Sequence, residues 1–280
     1  MARFSLGVAY QGTHYHGFQR QYRVATVQET LEQALSRVAN HPIRVACAGR
    51  TDTGVHATQQ VVHFDAAADR PLKAWVEGVN AHLPDDVSVS WVRPVPLDFD
   101  ARHSATARHY QYLILNRSLR FALGSEYVAR EHRSLDADAM HVGAQVLLGE
   151  HDFSAFRAAH CQSRTPFRRI DLLEIRRQGP WIVIDIKANA FLHHMVRNIV
   201  GALVEIGVGR RQPQWLQEVL EGRDRSVAGK MAPARGLYLC GVDYPIEFDL
   251  PIGRAPTDLW APGSIESPTV IDSPPFSEQR

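Results

Sequence analysis

Residues 48–57 read Ala-Gly-Arg-Thr-Asp-Thr-Gly-Val-His-Ala, which places Arg50, Asp52 and Gly54 close together in the chain. A loop carrying a cation, a carboxylate and a flexible glycine is a place where a rigid scaffold can hold a reactive group. An arginine two positions from a carboxylate keeps it ionised, which suits a nucleophile better than a proton donor. The same residues also fit a plain turn, with Asp52 capping a backbone amide and Gly54 supplying a positive φ. Histidines offer other chemistry. His193 and His194 are adjacent, and on a helix adjacent side chains diverge by about 100°, unlike the i, i+4 pair that chelates a metal. His14 and His16 could face one side of an extended segment, yet no third ligand stands at a suggestive spacing. No metal site is expected, and the segment around His14 and His16 reads better as a flexible polar loop.

The elements that must position Asp52 follow from periodicity. Residues 3–10 alternate Phe4, Leu6, Val8 and Tyr10 with small or polar residues, the pattern of a half-buried strand. Thr26 and Glu29 form a capping box ahead of a helix whose apolar face carries Val27, Leu31, Ala34, Leu35 and Val38. Strands are expected at about 43–48 and 60–64, a helix at 72–81, and a strand through Val87, Val89 and Trp91. Asp52 therefore lies between two strands of a β-α-β-β-α-β unit, the ferredoxin-like split pattern. The second half offers a strand at 108–115, a helix after Ser134, and strands at 170–177 and 181–188. Gln178-Gly179-Pro180 marks the turn between those two strands. A long helix is expected over 191–206, a short one with Pro213 as its first residue, and a last strand at 237–242. The second half could be a diverged copy of the first, although no residue-level repeat shows it. The expected organisation is an N-terminal half over 1–104 carrying the aspartate loop and a C-terminal half over 105–245 completing the cleft. The tail, 246–280, is acidic, holds six of the sixteen prolines and is expected to be poorly ordered.

Composition narrows the setting. With 280 residues, 45% of them hydrophobic, the chain has material for one large or two small domains. No run of about 18 apolar residues exists, so no membrane span is expected, and residues 1–10 lack the apolar block of a signal peptide. Cys47, Cys161 and Cys240 are scattered and odd in number, as free thiols of a cytoplasmic protein would be. The net charge of +1 hides an asymmetry, because residues 1–242 carry 29 basic against 23 acidic side chains, a net +6. Arginines cluster at 164, 168 and 169, at 176 and 177, and at 210 and 211. A basic body of this kind suits a polyanion, although charge alone decides nothing.

The segment at 48–57 resembles the A-G-R-T-D-A-G-V-H-A signature of the tRNA pseudouridine synthase A family, departing at Thr53 where alanine is usual. Four further segments match in order. Residues 10–19 resemble the family's Y-x-G-T-x-Y-x-G-[WF]-Q. Residues 99–112 resemble its F-x-A-R-x-S-A-x-x-R-x-Y-x-Y. Residues 189–198 resemble its arginine-bearing helix, and residues 232–237 its A-P-x-x-G-L. The matches run from Tyr10 to about Tyr244. The resemblance implies an α+β fold with a central, largely antiparallel sheet built from two ferredoxin- or RRM-like halves. It also implies isomerisation of uridine to pseudouridine at positions 38, 39 and 40 of tRNA, with Asp52 as nucleophile. By the same mapping Arg50 displaces or replaces the target base, Tyr110 packs against it, Arg197 pairs with Asp52, and Leu237 packs in the pocket floor. Arg102, His103 and Arg164 would contact RNA. A homodimer bridged by tRNA is implied, and no cofactor, since an isomerisation has no redox step and no net hydrolysis.

Two rivals come from other classes. Asp52-Thr53-Gly54 spells the aspartic protease triplet, and a dimer with one triplet per chain would resemble the retroviral type, but that site needs two carboxylates sharing a proton, and Gly49-Arg50-Thr51 leads in where apolar residues belong. A non-catalytic RNA-binding module built on two RRM-like units would need aromatic strand motifs that are missing.

Overall fold

The computed structural model describes residues 1–253 and 255–259. The first half runs β1 (Ala2–Tyr10), α1 (Val27–Ala39), β2 (Ala46–Cys47), β3 (His56–Ala66), a π-helical turn Ala74–Gly78, and β4 (Val87–Val95). The second runs β5 (Ala107–Asn116), β6 (Ala129–Glu131), α2 (Ala137–Ala144), β7 (Gly149–Asp152), β8 (Phe167–Gln178), β9 (Trp181–Ala188), α3 (Met195–Gly207), α4 (Trp215–Gly222) and β10 (Leu237–Asp243).

One sheet of ten strands joins them in the order β4-β1-β3-β10-β5-β9-β8-β7, with β2 on β3 and β6 on β5. The fold is α+β and the sheet largely antiparallel, as expected; β3 with β10 and β5 with β6 are its parallel pairs. The pairing also exposes a repeat that the residues hide. In the first half the fourth main strand pairs the first, the first pairs the third, and the third pairs the second. In the second half β10, β5, β9 and β8 pair in that same sequence. The two halves meet where Tyr238 and Leu239 lie beside His56 and Ala57. This junction sets the segment before β3, which holds Asp52, next to Leu237 at the start of β10.

Local chemistry explains the elements. Thr26 sits in extended backbone and its hydroxyl accepts from the Glu29 N–H at 3.4 Å, capping α1 at its first turn. β1 buries Phe4, Leu6, Val8 and Tyr10, but it is covered on its other face as well. The Trp91 indole lies over Gly7, where a Cβ would come within 2.1 Å of Nε1. Only glycine admits that contact.

Several expected boundaries move. Of the strand read at 43–48, Ala46 and Cys47 pair with β3, while Ile43 and Val45 are buried without joining the ladder. α3 starts at Met195, not 191, because His194 adopts a left-handed conformation with φ 64°. The apolar spacing Leu192, Met195, Val196, Ile199 runs through that break, so periodicity alone extends the helix too far. Pro213 stands two residues before α4 instead of opening it.

Residues 246–253, the start of the tail expected to be loose, are docked on the body, while most of the tail lies outside the described residues. Phe248 packs on Phe99 at 5.0 Å between ring centres, Gln59 Nε2 donates to the Pro251 carbonyl at 2.7 Å, and a Cβ on Gly253 would meet the Cys240 carbonyl at 1.9 Å. The proposed boundary at 246 therefore cuts through packed chain. The side chains of Leu259, Trp260 and Phe276, considered as docking groups, lie outside the described residues. Deleting 251–280 is expected to lower the melting temperature by several degrees, since one side-chain hydrogen bond is worth about 1 kcal/mol and the Gly253 contact is lost too. Differential scanning calorimetry checks this; an unchanged melting temperature would contradict it.

Candidate active site

The loop between β2 and β3 is held on every side. The Gln60 amide braces its start, with Oε1 accepting from Gly49 N–H at 3.4 Å and Nε2 donating to the Gly49 carbonyl at 2.6 Å. Thr51 is buried; its Oγ1 is 2.8 Å from the Tyr10 hydroxyl and its carbonyl accepts from Phe18 N–H at 3.1 Å. Val55 N–H donates to the Asp52 carbonyl at 3.1 Å, closing a turn in which Gly54 takes φ 77°. Residues 10–19 form the cradle behind this turn. Gly17 has φ 86°, and a Cβ there would sit 2.7 Å from the Thr51 carbonyl, so a side chain would push the loop outward. His56 ties this segment to the rest: its Nδ1 accepts from Gly12 N–H at 3.0 Å, and its Nε2 lies 3.2 Å from the carbonyls of Glu126 and Arg235. His16 lines the cleft beside this cradle while His14 does not.

Asp52 emerges from this frame with its two oxygens engaged. Arg197 Nη1 donates to Oδ2 at 3.2 Å, and the same guanidinium anchors to the Ala232 carbonyl through Nε at 2.9 Å. His193 Nε2 is 3.3 Å from Oδ1 and His194 Nε2 is 3.4 Å from Oδ2. The imidazoles lie against each other with centres 3.8 Å apart. Sequence reasoning missed this pair, because it placed both histidines on a helix, diverging; they precede α3 and converge. The three donor groups lie within 4.8 Å of one another, a spacing that could admit a cation, but the Arg197 guanidinium on the same carboxylate opposes one. Burial pushes His194 below the ordinary histidine value; Asp52 acts against this, while His193, Arg197 and Arg225 add to it.

Around Asp52 opens a cleft of about 930 Å³. Tyr110 on β5 forms part of its wall, 8% exposed and edge-on to Phe191 with centres 5.1 Å apart. Burial raises its phenol far above the usual tyrosine value. Leu237 lies buried in the lining, and Arg50, Arg102 and His103 are exposed along it. Arg164 is exposed but outside the lining, where Arg168 stands instead. The structure thus brings together Asp52, Arg197, Tyr110, Leu237, Arg50, Arg102 and His103, and leaves Arg164 apart.

Arg108, the second arginine of the 99–112 motif, is a structural centre of the cleft. Its guanidinium donates to the carbonyls of Ala48 at 2.9 Å, Arg102 at 2.6 Å, Ala105 at 3.2 Å and Asn189 at 3.0 Å. One buried cation thereby pins three cleft-forming segments together. An arginine in a strand with no acidic residue at pairing distance in sequence was the available signal. The same geometry disfavours the dimeric protease reading: Arg197 pairs with Asp52, and His193 and His194 stand against it, a cationic setting that opposes proton sharing with another carboxylate.

A profile of the tRNA pseudouridine synthase family matches residues 7–104 and 144–245. The chain belongs to that family. Within this tRNA pseudouridine synthase fold, Asp52, Arg197 and Leu237 fall in the matched segments, and Tyr110 falls between them. Among its relatives, the tRNA pseudouridine synthase A of Vibrio parahaemolyticus is 55% identical over 249 residues, 89% of this chain and 94% of the relative. That of Aeromonas hydrophila is 54% identical over 268 residues, covering 95% of this chain and 99% of the relative.

Proposed function

We propose that this protein isomerises uridine to pseudouridine at positions 38, 39 and 40 of tRNA, with Asp52 as the nucleophile. The observation that carries the reading is the setting of one carboxylate: Asp52 at the cleft, paired at 3.2 Å with Arg197 and backed by an immobilised loop. A carboxylate held this way is aimed into the cleft as a nucleophile. A stacked base is out of its reach, so the nucleotide must be flipped out at a cost of a few kcal/mol. Arg50, exposed on the cleft, can fill the vacated stack, and Tyr110 recovers roughly 1–3 kcal/mol by packing on the uracil. Leu237 closes the floor, and Arg102, His103 and Arg164 take phosphates or flanking bases. The protein acts as a homodimer with one tRNA bridging both subunits, and it works in the cytoplasm, where its three free thiols persist. None of the helices in the described residues is long and apolar enough to cross a membrane.

Nucleoside mass spectrometry of tRNA from a strain lacking this protein tests the reading. Pseudouridine should disappear from positions 38, 39 and 40 and return on complementation; full retention at all three would overturn it. No metal is required, because the reaction needs no Lewis acid and Arg197 already neutralises the nucleophile. Pseudouridine formation should therefore proceed at an unchanged rate after EDTA treatment. A loss restored by added zinc would contradict this.

A further inference from the structure

Resting on the function just proposed, we infer that His194 takes the proton that C5 of the uracil must lose, with His193 passing it on to solvent. The balance of the reaction demands such a group. The N1–C1′ bond breaks, the C5–C1′ bond forms, C5 gives its proton to a base in the cleft, and N1 takes a proton from solvent. Whether Asp52 attacks the base or the sugar, that requirement stands.

Four ionisable side chains crowd the nucleophile's end of the cleft, and three of them are poorly suited. Arg197 is a cation anchored by Asp52 and the Ala232 carbonyl. Tyr110 keeps its proton in its buried setting. His193 is the more exposed imidazole, at 43% against 26% for His194. His194 is neutral near pH 7, because burial disfavours its cation, His193, Arg197 and Arg225 add to that, and only Asp52 opposes it. Its Nε2 stands 3.4 Å from the Asp52 oxygen, beside the atoms that react. The 3.4 Å approach to Asp52 is an electrostatic contact, and no hydrogen bond there commits Nε2 as a donor. The imidazole can then hold its hydrogen on Nδ1 and present the Nε2 lone pair to the uracil.

Backbone strain supports the assignment. His194 has φ 64°, a left-handed conformation a β-carbon disfavours, at a helix start where its side chain makes no capping bond. The strained backbone brings its ring against that of His193, at 3.8 Å, and both Nε2 atoms onto Asp52. The stacked, more exposed His193 gives the proton its way out.

The test uses tRNA carrying 5-fluorouridine at the target, which has no hydrogen at C5, beside ordinary tRNA and tRNA deuterated at C5. His194→Asn is the informative variant, since asparagine tolerates the left-handed backbone. Its turnover of uridine should fall about a hundredfold, and deuterium at C5 should slow it by a larger factor than it slows the wild type. Rearrangement of 5-fluorouridine to the C5-linked product should stay close to the wild-type rate. The wild type should lose activity as pH falls through a value below the usual histidine range, and the variant should lack that limb. Asp52→Asn should be inactive on both substrates, which separates failure of this inference from failure of the proposed function. An equal loss on uridine and 5-fluorouridine in His194→Asn would mean that the imidazole only orients Asp52. An undiminished rate on uridine would mean that another group takes the proton. Either result overturns the inference.

Discussion

Asp52→Asn is expected to abolish pseudouridine formation, by about four orders of magnitude or more, while leaving the fold and tRNA binding in place. The amide is nearly the same size as the carboxylate and cannot act as the nucleophile. It also fits its surroundings. Its oxygen can accept from Arg197 Nη1, and its NH₂ can donate to an imidazole nitrogen, because His193 and His194 can each change tautomer. The main-chain restraints on the loop, from Gln60, Phe18 and Val55, do not involve the substituted side chain. Single-turnover kinetics with an unmodified tRNA transcript, together with a melting curve and a binding isotherm, check the result. Near wild-type turnover in a folded variant would remove the nucleophile from the account.

Binding of tRNA is expected to weaken on the order of a thousandfold when salt is raised fourfold, from about 50 to 200 mM, if six to eight phosphates are neutralised. The net +6 over residues 1–242 supplies the field, and Arg50 and Arg102 stand exposed along the cleft, with Arg168 in its wall. Arg164, exposed beyond the lining, extends the same basic surface. Fluorescence anisotropy across that salt range reads the slope. A nearly flat dependence would mean that the basic body does not meet the tRNA backbone.

Much of the frame around Asp52 was legible in the chain, because its signals are local. The Thr26–Glu29 pair marked the start of α1, and Gln178-Gly179-Pro180 marked the β8–β9 turn, where Gly179 does take φ 59°. What escaped depends on contacts distant in sequence. The repeat of the two halves lies in strand pairing, which no residue pattern records. The convergence of His193 and His194 depends on one residue leaving helical geometry inside a run whose apolar spacing continues unbroken. Arg108 acts on carbonyls as far away as Ala48 and Asn189, and carbonyl groups leave no trace in a sequence. The docking of residues 246–253 escaped because proline content argued for disorder, while Gln59 and the Cys240–Gly241 backbone, which receive Pro251 and Gly253, sit in remote strands.

The most direct measurement uses purified protein alone, with EDTA present, and unmodified anticodon stem-loops or whole tRNA transcripts carrying a single uridine at position 38, 39 or 40. The product is read by reverse-transcription mapping and nucleoside mass spectrometry. The account predicts pseudouridine of unchanged mass at those positions, none in matched RNA whose only uridines lie outside the anticodon arm, and none with Asp52→Asn. Absence of pseudouridine from every transcript bound by the folded protein, or its formation by the Asp52→Asn variant at the wild-type rate, would contradict it.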